Sequence, residues 1–188
     1  MSDFEDILHY GHPALRRKAA PVRKVDADVE RLIAHMSECL TAAGGLGLAA
    51  PQVGSGLSVI IYDVTEGPCA LINPRLRESA GSEADLEGCL SFPRLYGDVP
   101  RATRVVVKGR NLQGRPVTIE AEDLLARILQ HEMDHLEGIL FTDRVDPDTL
   151  HWVVAQAGND GELQQVPTTL ADALKLFEAR MASRRANP

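Results

Sequence analysis

The stretch "QHEMDHLEGILF", residues 130–141, places His131, Glu132 and His135 in the order H-E-x-x-H, and this spacing constrains the chain more than any other feature. Residues four apart on a helix stand one turn apart on the same side, so two imidazoles converge on one ion. Glu132 projects about 100° away from His131 and reaches a water on the metal, not the metal itself. The helix that carries them is predicted from about Glu122 to Glu137, closed by Gly138. On it Leu124, Ile128, His131 and His135 share one face, while Leu125, Leu129, Glu132 and Leu136 form the neighbouring stripe. An apolar arc that wide predicts a buried helix with sheets around it, where two histidines and a glutamate need partners to offset desolvation. A chance motif on a solvated helix is the plain alternative.

Two histidines leave a metal site incomplete. The pattern continues toward H-E-x-x-H-x-x-G-x-x-H as far as Gly138, but Phe141 stands where the last histidine belongs. A downstream carboxylate, as in His2Glu peptidases, is available in Asp143, Asp146, Asp148 and Glu162, none in a helical context that aims it at the pair. Cys89, after Gly88 in "LEGCLSFP" (86–93), is the third option. Alone it would be a small buried side chain; beside H-E-x-x-H the ligand reading is preferred, because Cys-His-His leaves a fourth position open for water.

Elsewhere "VDADVERLIAHMSECLTAAGG" predicts a helix with Asp26 as N-cap and Gly44-Gly45 as its stop, Cys39 lying beside its apolar face as a core residue. Between Leu57 and Ile119 the stretches "LSVIIYDV", "CALINP", "TRVVVKGRN" and "RPVTIEA" predict short strands, Cys69 opening one as a packed side chain, and "GRNLQGRP" a hairpin connection. Beyond Asp143, "DPDTLHWVVAQAG" is predicted as a short helix with Pro147 in its first turn, "NDGELQQVP" as a loop, and "TTLADALKLFEARMASRR" as an amphipathic helix whose Thr169 and Asp172 fit a capping box.

With 188 residues, 44% apolar and 25% charged, one domain with a real core is expected. Aromatics are only 4%, so aliphatic side chains must fill that core. A net charge of −7 argues against nucleic acid, DNA included, as the main ligand. No run approaches the roughly 18 apolar residues of a membrane span, and a cytoplasmic location is expected.

Three stretches, "GLGLAAPQ" (45–52), "EGCLS" (87–91) and "QHEMDHLEG" (130–138), resemble in that order the three signature motifs of peptide deformylase, with further similarity at "NP" (73–74) and "VPRA" (99–102). The resemblance implies an α+β fold, with antiparallel sheets packed around a central helix carrying H-E-x-x-H, an N-terminal helix and a C-terminal helix. It implies a single domain over 1–188, with 145–188 as an atypical extension. The implied activity is removal of the formyl group from N-terminal formyl-methionine of nascent polypeptides, releasing formate, by attack of a metal-activated water. By position, Cys89, His131 and His135 would hold one divalent metal ion, Fe²⁺ in the cell and Zn²⁺, Ni²⁺ or Co²⁺ as purified. Glu132 would be the general acid/base, and Gln52 and the Leu90 N–H the oxyanion donors; for Gln52 a turn-stabilising amide is the alternative. Gly45 and Gly47 would let backbone approach the peptide, with Leu46 at the methionine pocket. Leu124 and Ile128 either line that pocket or pack in the core, and Glu87 with Arg101 is either a pair steadying the Cys89 loop or an ordinary surface pair. About twenty residues separate "DRVDP" from the last helix, a departure from the family, and Trp152 among them is expected to pack on the body. Arg180, Arg184 and Arg185 either contact the ribosome or sit at a helix C-terminus, where cations are favoured anyway. Two other functions stand beside this one: a metallopeptidase with a downstream carboxylate, and a non-catalytic binding protein stapled by a metal, for which His9, His12, His35 and His151 are the spare ligands.

Overall fold

Alternation along three short strands fixes the layering. The computed structural model describes residues 6–64, 67–155 and 162–186. Strands β1 (Gly47–Ala49), β2 (Val59–Tyr62) and β3 (Cys69–Ala80) are followed by β4 (Glu83–Cys89), β5 (Phe92–Arg101), β6 (Arg104–Arg110) and β7 (Pro116–Glu122). Helix α1 (Ala27–Ala43) precedes them and α2 (Asp123–Leu136) follows. The first sheet has the order β1-β2-β3-β6-β7, and every pairing in it is antiparallel. Successive side chains of a strand point to opposite faces. Leu48, Val59, Ile61 and Ile72 accordingly pack with Val29, Ile33, Met36 and Leu40 of α1. Their neighbours Ala49, Ile60 and Leu71 pack with Ala126, Leu129 and Leu136 of α2. The sheet is thus covered by a helix on each face, and α2 is buried as its apolar arc requires.

Helix ends follow local chemistry. Asp26 accepts hydrogen bonds from the Asp28 and Val29 N–H groups, and Gly44 closes α1 in the left-handed region at φ 61°. After α2 the chain turns at Gly138, whose φ of 74° suits glycine, and a Cβ there would lie 2.7 Å from the Arg16 carbonyl oxygen.

The second sheet has the order β4-β5-β8-β9, where β8 is His151–Ala155 and β9 is Leu163–Pro167. Here the structure departs from the sequence expectation. Pro147 opens only a one-turn 3-10 segment, Pro147–Thr149, and "HWVVA" is a strand, pairing Leu95 with Trp152 and Tyr96 with His151. The edge of β5 claims the β-branched and aromatic residues that the helix reading had taken, and "LQQVP" is a strand where a loop was expected. Cys89 lies at the end of β4, at a register slip between Gly88 and Cys89, and not in a free loop. Cys69 does begin β3, but it is exposed.

Helix α3 (Leu170–Ala186) closes the outer core. The Thr169 hydroxyl accepts from the Asp172 N–H at 3.1 Å, which starts the helix where the capping pattern predicted. Its Ala173 and Phe177 are buried beside Phe92, Leu95, Phe141 and Leu150, with Trp152 packed against them. Scarce aromatics are concentrated here: Phe92 has Tyr10, Phe141 and Phe177 at centroid distances of 5.1, 5.2 and 5.3 Å. Phe141 is therefore a core residue that supports the strand three residues after Cys89. The side chains of Arg180, Arg184 and Arg185 lie outside the described residues.

Replacing Phe177 with Ala should cost about 3–5 kcal/mol of stability by urea denaturation, since it empties the space between α3 and Phe92. A second test uses pH. Partial burial pushes the Asp143 carboxyl up, but hydrogen bonds from Arg16 and the Leu140 N–H, with the charges of Arg16 and Arg144, hold it below its ordinary 3.8. A carboxyl lowered by folding stabilises the fold above its unfolded pKa and loses that contribution as pH falls through the folded value. Arg16→Ala should therefore lower the thermal midpoint near pH 7, and the difference from the unsubstituted chain should shrink as pH falls through the folded value.

Candidate metal centre

Three segments bring donors to one point. Helix α2 presents His131 and His135, the end of β4 presents Cys89, and the 3-10 turn Ala50–Val53 presents Gln52. Cys89 Sγ lies 3.3 Å from His135 Nε2, and one ligand atom from each of Cys89, His131 and His135 lies within 4.8 Å of the others. Metal–sulfur and metal–nitrogen bonds of about 2.3 and 2.0 Å at a tetrahedral angle put S and N about 3.5 Å apart, so the spacing fits a shared ion. A thiolate with two imidazoles is also a suitable donor set for a borderline divalent metal.

The electrostatics around the site favour positive charge. His131 Nδ1–H donates to Glu87 Oε2 at 2.9 Å, which fixes the ring and leaves Nε2 for the site. Burial opposes protonation of His131, but Cys89 and Glu87 outweigh it and raise its pKa well above the usual value. His135 is driven the other way, by burial and then by the charge of His131. Glu87 is the hub of the support. Arg101 donates to both its oxygens, at 2.9 and 3.1 Å, and Arg127 Nη1 to Oε1 at 2.9 Å. Burial alone would raise its pKa, yet hydrogen bonds from His131 and Arg101 and their charges bring it down to about 2. Glu87 and Arg101 are thus a buried pair, 4% exposed on each side chain, and the surface-pair alternative falls.

Glu132 sits beside the metal-ligating face. Burial, partly countered by His131 and reinforced by Glu87, moves its pKa up to about 7. Among the described residues its buried Oε2 has no hydrogen-bond partner, which leaves it open to a bound group. Gly47 makes room for it, since a Cβ there would lie 2.5 Å from Glu132 Oε1. That close approach accounts for this glycine more directly than approach to a peptide does.

Gln52 does serve as a turn-stabilising amide, and its other end faces the cysteine. Its Oε1 accepts from the Ala49 N–H at 2.8 Å, which stabilises the turn, while its Nε2 donates to Ser91 Oγ at 3.2 Å and faces Cys89 Sγ at 3.7 Å. A cavity of about 700 Å³ opens over these groups, and Leu46, Leu90, Leu124, Ile128, Cys89 and Glu132 are among the residues that line it. Leu46 and Leu124 are about half exposed at its mouth, whereas Ile128 is buried. Gly45 touches Leu90 and Leu40. Of the downstream carboxylates, Asp143 pairs with Arg16 and Asp146 caps a 3-10 turn. Among the described residues no group of three or more converging donors includes a carboxylate from beyond α2.

Sequence reasoning missed Ser91, Arg127 and Asp134. Arg127, buried, also donates to the carbonyls of Val99, Glu83 and Asp85, and so ties α2 to β4 and β5. Asp134 receives both Arg101 and Arg144. Their signal was present: Arg127 stands one turn before His131 on a helix otherwise predicted to be buried, and a buried cation requires an anion.

A thiol and two imidazoles around one point, with a buried carboxylate beside them, are a donor set and a base of the kind a metal-dependent hydrolase uses. A family model described as polypeptide deformylase matches residues 4–150. The peptide deformylase of Carboxydothermus hydrogenoformans is 45% identical over 140 residues, covering 74% of this chain and 92% of that protein. The crystal structure of peptide deformylase from Thermotoga maritima superposes with a TM-score of 0.73 at 43% identity, over 75% of this chain and 97% of that one. That from Thermus thermophilus superposes with a TM-score of 0.72 at 34% identity, over 94% and 93% of the two chains, so its match reaches into the tail. The chain belongs to the polypeptide deformylase family, and its fold is the α+β fold of peptide deformylases.

Removing the hub should be costly. Glu87→Ala leaves Arg101 and Arg127 buried without their shared carboxylate, an expected loss of about 3–5 kcal/mol by chemical denaturation. The milder Glu87→Gln should weaken metal binding by about 10–100-fold in a chelator competition.

Proposed function

We propose that this chain removes the formyl group from the N-terminal formyl-methionine of nascent polypeptides, releasing formate. The observation that carries this reading is the approach of Cys89 Sγ to His135 Nε2 at 3.3 Å, at the floor of a cavity that Cys89, His131 and Glu132 line. Cys89, His131 and His135 would hold one divalent ion, with Fe²⁺ as the working metal and Zn²⁺, Ni²⁺ or Co²⁺ as replacements. When bound, the ion supplies Lewis acidity that makes water a nucleophile near neutral pH.

The protein's own groups account for the rest. Glu132, with a pKa near that of the medium, accepts the proton of the attacking water and delivers it to the departing amine. Water oxygen joins the formyl carbon, the C–N bond breaks, and formate and a free amino terminus result. Charge that builds on the formyl oxygen is met by the Gln52 amide and the Leu90 N–H. Glu87 orients His131 through its Nδ1–H. Leu46, Leu124 and Ile128 supply an apolar wall for the methionine side chain, and the backbone of Gly45 and Gly47 receives the peptide, their missing side chains leaving room for Leu40, Leu90 and Glu132. The activity acts on chains leaving the ribosome, in the cytoplasm; among the described residues no helix is long and apolar enough to cross a membrane. One domain over 1–188 carries it, with 145–188 as an extension whose Leu150, Trp152 and Phe177 buttress the strand after Cys89.

Anaerobic protein loaded with Fe²⁺ should release formate from a formyl-Met peptide. Full metal occupancy without turnover would contradict the proposal and favour a metal-stapled binding role. Glu132→Ala should keep the metal and lose about 10²–10⁴ in rate; an unchanged rate would remove Glu132 from its role.

A further inference from the structure

A second set of metal-type donors lies on the other helix. His35 and Cys39 of α1 stand one turn apart, the same i, i+4 spacing that pairs His131 with His135. Cys39 Sγ is 3.6 Å from His35 Nε2 and 3.9 Å from Nδ1. The first value matches the separation of about 3.5 Å that a tetrahedral ion imposes on a sulfur and an imidazole nitrogen. Asp6, in the segment before α1, supplies a carboxylate oxygen, and one donor atom from each of the three residues lies within 4.8 Å of the others. The set grades from inside to outside: Cys39 is buried, His35 half-buried and Asp6 exposed. Core packing accounts for Cys39 alone, but it does not account for an imidazole and a carboxylate converging on its sulfur.

We propose that Asp6, His35 and Cys39 form a second divalent metal site, suited to Zn²⁺ or an ion of similar softness, which pins the N-terminal segment to α1. The site shares no residue with the Cys89 set and lies on a different helix. Three protein ligands with an exposed side leave room for water as the fourth. Burial, and then the charges of Asp6 and Glu38, keep the Cys39 thiol protonated in the absence of an ion, so each ion bound as thiolate releases one proton. Both anchors lead to the first motif. The Leu8 N–H, two residues after Asp6, donates to the Gln52 carbonyl at 2.7 Å, and Leu40, next to Cys39, lies against Gly45. The second ion acts as a staple under that wall of the cavity and takes no part in the reaction.

Native mass spectrometry of the protein titrated with Zn²⁺ tests this. The wild-type chain should take up two ions, His35→Ala and Cys39→Ala one, and Cys89→Ala should lose the other ion while keeping this one. His35 is half-buried on a helix surface, so His35→Ala should stay folded and keep formate release. Partners one bond removed from a metal are worth about 10–100-fold in affinity, so Asp6→Ala should weaken the second ion by at least about tenfold. A wild-type chain that stops at one ion, or a second ion that persists in both His35→Ala and Cys39→Ala, overturns the site. Unchanged affinity in Asp6→Ala overturns its three-ligand form.

Discussion

The buried carboxylate of Glu87 is the interaction on which the rest depends. It stands on β4 two residues before Cys89, accepts from His131 on α2, from Arg101 at the end of β5, and from Arg127 one turn before His131. One side chain thus joins the strand that carries the thiol to the helix that carries the imidazoles. Were it absent, the Arg127 guanidinium and the His131 imidazole would be left without an anion in a region almost closed to water, and Arg101 would keep only Asp134. The arrangement is self-consistent, since the cations hold the carboxyl ionised down to about pH 2 and the ionised carboxyl in turn fixes the ring of His131.

Packing supplies the second constraint. Three of the four phenylalanines meet on the outer side of the second sheet, around Phe92. That cluster holds β5 in place, with Ala173 and Phe177 of α3 in it and Trp152 of β8 packed against it. The described part of the tail therefore bears on the candidate metal centre through the body of the sheet, by way of Phe92, Leu95 and the Tyr96–His151 pairing. Phe141 takes on a defined meaning in this frame. It occupies the position where a third histidine would have made a peptidase signature, and its ring meets Phe92 edge-on at 5.2 Å.

Much of this was legible because local chemistry and the fold agree. Asp26, Gly44 and Gly138 mark helix ends by capping and by left-handed backbone, and both constraints are local in sequence. The strands of the first sheet declare themselves through runs such as "VVVK" and "VIIY". "SEADLEGC" does not: Glu83 and Asp85 are exposed, and Glu87, on the same face by alternation, is buried because it pairs with Arg101 and Arg127. Likewise "HWVVA" gives no sign of its partner, since its pairing depends on an edge of β5 more than fifty residues upstream. His131, Glu132 and His135 are readable from one turn of helix. Cys89 was preferred as the third donor from its chemistry beside H-E-x-x-H, and the resemblance across three motifs strengthened that reading, whereas Arg127 required knowing that its helix is buried. The role of Gly47 could not be read at all, because it depends on a carboxylate eighty-five residues later.

The central claim is that sulfur from Cys89 and two imidazoles share one ion. X-ray absorption at the zinc edge, with one equivalent bound to a Cys39→Ala chain, tests it most directly, because the other buried thiol is then gone. The account predicts one sulfur scatterer at about 2.3 Å and two imidazole nitrogens at about 2.0–2.1 Å, with the sulfur signal abolished by adding Cys89→Ala. A first shell of nitrogen and oxygen alone, or a sulfur signal that survives the loss of Cys89, would contradict it.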